Sequence, residues 1–226
     1  MHESDDLQAS CSKLLKKDIF GRTDLIRGDG DSPIVRRDTR AAAAAVRWLA
    51  RRLLAREALA LTVLAGTPGI PKLVRRDRHT LDRGYIEGTP MQTGKPTDPG
   101  YFRNAAHILR QLHRKNVVHN DLAKEPNVLV TAGGAPAFID FQLAWFAPRR
   151  GRFFRLLARE DIRHLLKHKR TYCPQHLTQR ELDILNNPSL LARIWMRSGK
   201  PLYLFITRRI LGWQDREGAG DRNRSN

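Results

Sequence analysis

Three oxygen-bearing side chains, those of Asp121, Asn127 and Asp140, stand close together in the stretch VVHNDLAKEPNVLVTAGGAPAFIDFQLA. Two carboxylates and a carboxamide are hard oxygen donors. Mg²⁺ takes such ligands, usually one or two carboxylates, and keeps some of its water. If the chain brings these side chains together, they predict a site for a divalent cation of this kind.

A predicted hairpin supplies the geometry that such a site needs. Apolar runs at residues 127–131 and 135–141 indicate two strands, and Gly133 and Gly134 between them indicate the turn. A hairpin holds its two ends side by side, so the polar loop before the first strand would lie near Asp140. The alternative is an ordinary hairpin with polar loop residues.

The ordered motifs in this stretch resemble the signature of the protein-kinase-like superfamily. HNDL at residues 119–122 is similar to the catalytic-loop H-x-D-L, and DFQ at residues 140–142 is similar to D-F-G. Asn127 falls where that superfamily has its metal-binding Asn. The small RIO-like and lipopolysaccharide-kinase-like bacterial proteins are the most similar subgroup. The resemblance implies an α+β bilobal fold, with a small antiparallel-sheet N-lobe and a mainly helical C-lobe.

The same resemblance implies a role for each polar residue. Asp121 would accept or orient the proton of a substrate hydroxyl, while Asn127 and Asp140 would hold Mg²⁺ on the phosphates of ATP. His119 would support the loop. Asp161, on a later predicted helix, would brace the loop's backbone; the alternative for Asp161 is a surface counter-ion to a neighbouring arginine.

Three features of the stretch depart from the superfamily pattern. The interval from Asp121 to Asn127 is six residues where five is usual. Gln142 replaces the usual Gly, which removes backbone freedom after the metal ligand. Lys124 lies three residues after Asp121 where the family has its Lys at two, and we expect it to offset negative charge on the transferred phosphate.

The elements that would hold the nucleotide come earlier in the chain. Residues 14–24 predict a first strand and turn, but the Gly-rich phosphate loop of the family is missing. Lys16 and Lys17 would contact phosphate by charge instead; a solvated basic strand end is the alternative. In the strand predicted at residues 33–37, Arg36 is nearest to the position where the family has its Lys. The register is uncertain by one residue, so Arg37 is the alternative.

A long Ala-rich helix predicted at residues 39–64 carries Glu57, which resembles the helix Glu that pairs with the strand cation, here Arg36. A surface ion pair on the helix is the alternative. The segment YIEGTPM at residues 85–91, which includes Glu87, resembles the hinge that binds adenine through its backbone. A further helix, predicted at residues 101–115, leads into the catalytic loop.

After the metal-binding motif the chain leaves little room for a substrate platform. Only twenty residues separate Asp140 from Asp161, and no A-P-E motif is present. This favours a RIO-like or small-molecule-kinase-like site. The next predicted helix, residues 151–169, has a row of arginines that would either receive a polyanion or form a solvated face. Short helices are predicted at residues 177–185, 189–197 and 201–211.

The overall composition limits the classes of partner and location. The net charge is +18 with a pI near 10.9, so the surface attracts polyanions such as ATP, nucleic acid or an anionic membrane, although no nucleic-acid motif is recognised. Cys11 and Cys173 form no CxxC pair, which suits a reducing cytosol. No signal peptide or run of about 18 apolar residues is visible.

These observations predict an ATP- and Mg²⁺-dependent phosphotransferase whose acceptor is a protein Ser/Thr hydroxyl or a glycolipid sugar. The alternative is a nucleotide-binding pseudokinase or scaffold without transfer activity. We expect an N-lobe at residues 1–87, a C-lobe at residues 88–213 and a disordered tail at residues 214–226. The expected location is the cytoplasm, with peripheral attachment to the inner membrane face as a further possibility.

Overall fold

The structure is a computed structural model, and it describes residues 12–27 and 32–187. The helices predicted at residues 189–197 and 201–211 and the tail at residues 214–226 lie outside the described residues, as does Cys11.

A five-stranded antiparallel sheet forms the N-terminal part, with strand order β1-β2-β3-β5-β4. The strands are β1 Ser12–Asp18, β2 Gly21–Arg27, β3 Pro33–Asp38, β4 Leu73–Arg76 and β5 Thr80–Gly84. The turn between β1 and β2 requires glycine at position 21, because Gly21 has φ 135° and a side chain there would collide with the backbone oxygen of Asp38.

Helix α1, Arg47–Val63, packs against this sheet and begins later than the Ala-rich sequence predicts. Thr39 donates its backbone N–H and its hydroxyl to the carbonyl of His79, at 2.8 and 2.9 Å. These bonds tie Thr39 to the turn before β5, so the helix cannot start there. A short 3₁₀ turn, Ala44–Val46, leads into the helix instead.

The C-terminal part is mainly helical. Its helices are α2 Met91–Gly94, α3 Pro99–Arg114, α4 Arg152–Tyr172 and α5 Gln179–Asn186. Short strands lie between them: β6 Thr89–Pro90, β7 Val117–Val118, β8 Val128–Val130, β9 Pro136–Phe138 and β10 Trp145–Phe146. β8 and β9 form the predicted antiparallel hairpin, and β10 pairs with β7.

Side-chain capping fixes the start of two of these helices. Asp98 accepts a hydrogen bond from Gly100 N at 2.8 Å at the start of α3, which has proline at its first position. Thr178 and Glu181 form a capping box at the start of α5.

One buried apolar cluster connects the sheet, the helices and the hairpin. It includes Leu61 of α1, Leu81 of β5, Leu112 of α3 and Phe138 of β9, each 1% exposed or less. Because this core is continuous, the elements that carry the polar residues are held in a fixed relation. The predicted α+β architecture, with a small antiparallel sheet followed by a helical part, is confirmed; the lobe boundary at residue 87 stays a prediction. Within the described part, no helix has the length and apolarity to cross a membrane.

Candidate active site

The loop between β7 and β8 holds Asp121 and Asn127 in direct contact. The Asn127 amide nitrogen donates to Asp121 Oδ2 at 2.9 Å and to the Asp121 carbonyl at 3.0 Å. A 3₁₀ turn, Glu125–Asn127, lies immediately before β8. Because both bonds use the amide nitrogen, the side-chain oxygen of Asn127 is the atom left for a cation.

Asp161 of α4 accepts two hydrogen bonds from the backbone of this loop. Its carboxylate receives the N–H of His119 at 2.8 Å and the N–H of Asn120 at 2.9 Å. Asp161 is 1% exposed, so it is no surface counter-ion. Asn120 has φ 63°, a strained conformation for a residue other than glycine, and the Asp161 bond helps to hold it.

The buried ring of His119 links the loop to the strand that precedes Asp140. His119 Nε2 lies 3.0 Å from the Ile139 carbonyl, and Nδ1 lies 3.3 Å from the N–H of Asp121. A neutral ring with its proton on Nε2 satisfies both contacts. The ring also packs on Phe141, with centroids 4.6 Å apart.

Two further residues of α4 bind the loop, and neither was predicted from the sequence. His168 Nε2 donates to the Leu122 carbonyl at 2.7 Å, and the Tyr172 hydroxyl donates to Glu125 at 2.5 Å. Their positions, seven and eleven residues after Asp161, lie on the same helix face. That spacing is the signal in the sequence that would have found them.

Asp140 stands in a strained backbone conformation at the far end of the hairpin, with φ 63° and ψ 70°. Gln142 Nε2 donates to Asp140 Oδ1 at 2.6 Å, and Arg37 Nη2 lies 3.9 Å from the same oxygen. Burial opposes ionisation, but the charge of Arg37 and the Gln142 hydrogen bond outweigh it. They lower the pKa of Asp140 to about 2.

The pKa of Asp121 is shifted in the opposite direction. Burial raises its pKa above the ordinary value and the charge of Asp140 adds to the effect, against the opposing influence of Lys124. Lys124 Nζ lies 3.1 Å from Asp121 Oδ2. The site therefore holds one carboxylate that is firmly ionised and one that takes up a proton more readily, a division of roles found in acid–base chemistry.

The strand cation is Arg37, and the predicted pairing of Arg36 with Glu57 is wrong. Arg36 forms a bidentate pair with Asp82, at 2.8 and 2.7 Å, because the two residues are cross-strand partners on the face of β3 and β5 opposite to Arg37. Arg37 shares the inner face with the buried Val35 and lies 3.8 Å from Glu57. Because neighbouring residues of a strand point to opposite faces, Arg37 and not Arg36 faces Glu57.

Glu57 is 1% exposed and lies between two arginines rather than in a surface pair on its own helix. The second is Arg83 of β5, whose Nε is 3.3 Å from Glu57 Oε1. Arg83 was not predicted from the sequence. Its position two residues after the buried Leu81 was the available signal, since alternate residues of a strand share a face.

The remaining predicted nucleotide contacts lie on exposed parts of the sheet and its exit. Lys16 and Lys17 are exposed on the edge strand β1, where Lys16 lies 3.7 Å from Asp18. Glu87 is exposed between β5 and β6. Their contact with a nucleotide stays a prediction.

The donor set at the loop and hairpin fits Mg²⁺. Within residues 12–27 and 32–187, the structure contains no group of three or more His, Cys, Asp or Glu side chains that could hold a metal ion. Asp121, Asn127 and Asp140 offer only oxygen atoms. Mg²⁺ at phosphoryl-transfer sites requires one or two carboxylates together with phosphate oxygens.

Comparison with known proteins identifies the fold. No protein-family model and no curated protein sequence matches the chain. The structure is similar to the Rio2 kinase from Chaetomium thermophilum, with a TM-score of 0.57 and 12% sequence identity. The match covers 78% of this chain and 62% of that protein, so the chain spans less than two thirds of its neighbour's length. The chain has the predicted protein-kinase-like fold.

Proposed function

We propose that this protein is an ATP- and Mg²⁺-dependent phosphotransferase that moves the γ-phosphate to a hydroxyl acceptor. The observation that carries the proposal is the hydrogen bond between Asn127 and Asp121, at 2.9 Å, in a loop tied through His119 to the residue before Asp140. On a protein-kinase-like fold, these are the groups that phosphoryl transfer requires.

Asp121 is the proposed group for the acceptor. Asn127 and Lys124 both contact its Oδ2, so Oδ1 is the atom that would take or orient the hydroxyl proton. Its raised pKa supports this role, because a more basic carboxylate is the better proton acceptor.

Asn127 and Asp140 are the proposed metal ligands. The low pKa of Asp140 keeps its carboxylate ionised at neutral pH, as a ligand must be. When bound, Mg²⁺ would neutralise phosphate charge and orient the phosphates. Arg37, held near Glu57, would bind the phosphates with its planar guanidinium; Arg83 would share Glu57 and add positive charge.

The proposed acceptor is a protein serine or threonine, as in RIO-like kinases, or a glycolipid sugar, as in lipopolysaccharide-type kinases. The short connection between Asp140 and Asp161 supports a site without a broad peptide platform. If the acceptor is a glycolipid, the protein would lie peripherally at an anionic membrane.

Labelled γ-phosphate offered with protein and lipid fractions of a cell lysate, kept separate, tests both the activity and the acceptor. We expect transfer to one fraction by the wild type and none by Asp121→Asn. Asp183→Asn, which neutralises an exposed carboxylate on α5, is the matched control and should transfer normally. Equal transfer by Asp121→Asn and the wild type would remove Asp121 from the mechanism.

A binding module without transfer is the second candidate, and one contact favours it. The Gln142 amide donates to Asp140 Oδ1 at 2.6 Å, so it competes with a cation for that oxygen. Under this candidate, Gln142→Gly would gain Mg²⁺-dependent transfer that the wild type lacks. Transfer by the wild type itself would rule the candidate out.

A further inference from the structure

A groove of about 510 Å³ lies between α3 and α4, bordered on both sides by arginines. We call it the basic groove. Its floor is apolar and comes from Phe154, Ala158 and Ile162, which follow one another at intervals of four residues on α4 and so form one stripe. A volume of this size accommodates several side chains of a partner.

Two arginine rows flank the floor. Arg110 and Arg114 form one row on α3, and Arg155 and Arg159 form the other on α4. In each row the residues are four apart, which places successive guanidinium groups about 6 Å apart along the helix. Arg150 closes one end, where it donates to Asn116 Oδ1 at 2.6 Å and to the Arg114 carbonyl.

The positive charge of the two rows is not balanced locally. Among the described residues, none of Arg110, Arg114, Arg155 and Arg159 forms a salt bridge with a carboxylate. Four like charges around one groove repel each other, and an anionic partner would relieve that repulsion.

We propose that the basic groove binds an amphipathic helix of a partner protein, with its apolar face on the floor and rows of Asp or Glu against the arginines. A helix presents both features at the required spacing, because its residues at i and i+4 share one face. Charged rows beside an apolar seam are also how paired helices choose their partners.

Other occupants fit the groove less well. A nucleic-acid backbone would pair with the arginines but leave the apolar floor uncovered. The groove is concave, whereas a membrane surface is flat. The chain's own apolar C-terminal sequence, residues 189–213, contains no Asp or Glu, so the arginine rows would repel it.

The test uses the full chain and a labelled synthetic helix of about 18 residues, with a leucine stripe bordered on both sides by glutamates. Fluorescence anisotropy measures the affinity of the wild type, of Arg110→Gln/Arg114→Gln, and of Arg76→Gln/Arg78→Gln. The last variant removes the same charge from exposed positions on and beside β4. Melting temperatures confirm that all three proteins are folded.

We expect the groove variant to bind about tenfold more weakly and the control variant within about twofold of the wild type. A scrambled peptide of the same composition should bind more weakly than the helix. The proposal is overturned if the helix does not bind, if both variants lose affinity equally, or if the scrambled peptide binds as well. It is also overturned if a single-stranded oligonucleotide or anionic lipid vesicles, but not the helix, bind in a manner that depends on Arg110 and Arg114.

Discussion

The loop between β7 and β8 and the inner face of the sheet hold their polar groups by different means. Helix α4 fixes the loop with directional hydrogen bonds of 2.5 to 2.9 Å, which Asp161 accepts and His168 and Tyr172 donate. On the sheet, Glu57 attracts Arg37 and Arg83 from 3.8 and 3.3 Å. Arg37 Nε and Glu57 Oε2 are buried without a hydrogen-bond partner among the described residues.

The difference indicates which part of the site is preorganised. Hydrogen bonds with good geometry fix atoms in place, whereas ion pairs at longer distance keep charge nearby without fixing orientation. We therefore infer that the loop has its working geometry before ligand binds. The arginines of the sheet would reorient when phosphate oxygens offer them better partners.

The loop side should show the largest loss of stability on mutation. Asp161→Ala would leave the N–H groups of His119 and Asn120 without acceptors in the interior, lowering the free energy of unfolding by about 4 kcal/mol. Urea denaturation measures the change. Asp161→Asn keeps one acceptor oxygen, so its free energy of unfolding should lie between those of the wild type and the alanine variant. A loss below about 1 kcal/mol in the alanine variant would show that the loop is held by other contacts.

Mutation on the sheet side should lower the free energy of unfolding somewhat less. Glu57→Gln removes the charge that Arg37 and Arg83 share and should lower the free energy of unfolding by about 3 kcal/mol, because both arginines are mostly buried. Arg75→Gln is the matched control: its pair with Asp77 is exposed on both sides, 68% and 51%, and should contribute less than about 1 kcal/mol. Equal losses in the two variants would contradict the assignment of Arg37 as the inner cation.

The pH dependence of stability distinguishes the Asp140 carboxylate. Its folded pKa of about 2 is below the ordinary value of 3.8, so its contribution is present above about pH 4 and is lost as the pH falls through about 2. The shift corresponds to about 2 kcal/mol. The free energies of unfolding of the wild type and Asp140→Asn should be measured from pH 5 to 2. The difference between the two proteins should shrink by about 2 kcal/mol over this range. A difference that stays constant would contradict the lowered pKa.

A smaller effect should follow from the Tyr172 hydroxyl. Tyr172→Phe removes the hydroxyl that donates to Glu125 and should lower the free energy of unfolding by about 1 kcal/mol. If phosphate transfer is established, its kcat should fall several-fold while the KM for ATP stays constant, because the bond positions the loop and not the nucleotide. Thr171→Ala, next to it on the exposed side of α4, should change neither quantity.

The loop and hairpin were predictable from the sequence because their signals are local. Strand runs, a Gly-Gly turn and ordered polar residues lie within one short stretch, and the hairpin geometry follows from them. The fold was predicted because the order of these motifs resembles the protein-kinase-like signature. On α4, Asp161 was expected from the resemblance, but His168 and Tyr172 were not predicted, since they lie 46 and 47 residues from the residues they bind.

Long-range contacts also explain the two errors on the sheet side. The choice between Arg36 and Arg37 depends on which face of β3 meets α1, and this is set by pairing with β5. The start of α1 was misplaced because the bonds between Thr39 and His79 outweigh the helix propensity of the alanines. Local propensity contains neither of these contacts.

Calorimetric titration of ATP, with and without Mg²⁺, into the wild type and Asp140→Asn tests the central claim most directly. The claim is that Asp121, Asn127 and Asp140 gather around one divalent cation that carries the nucleotide. We expect the wild type to bind ATP at least about tenfold more tightly with Mg²⁺, and Asp140→Asn to lose that gain while remaining folded. Mg²⁺-dependent binding of equal strength in both proteins would contradict the account.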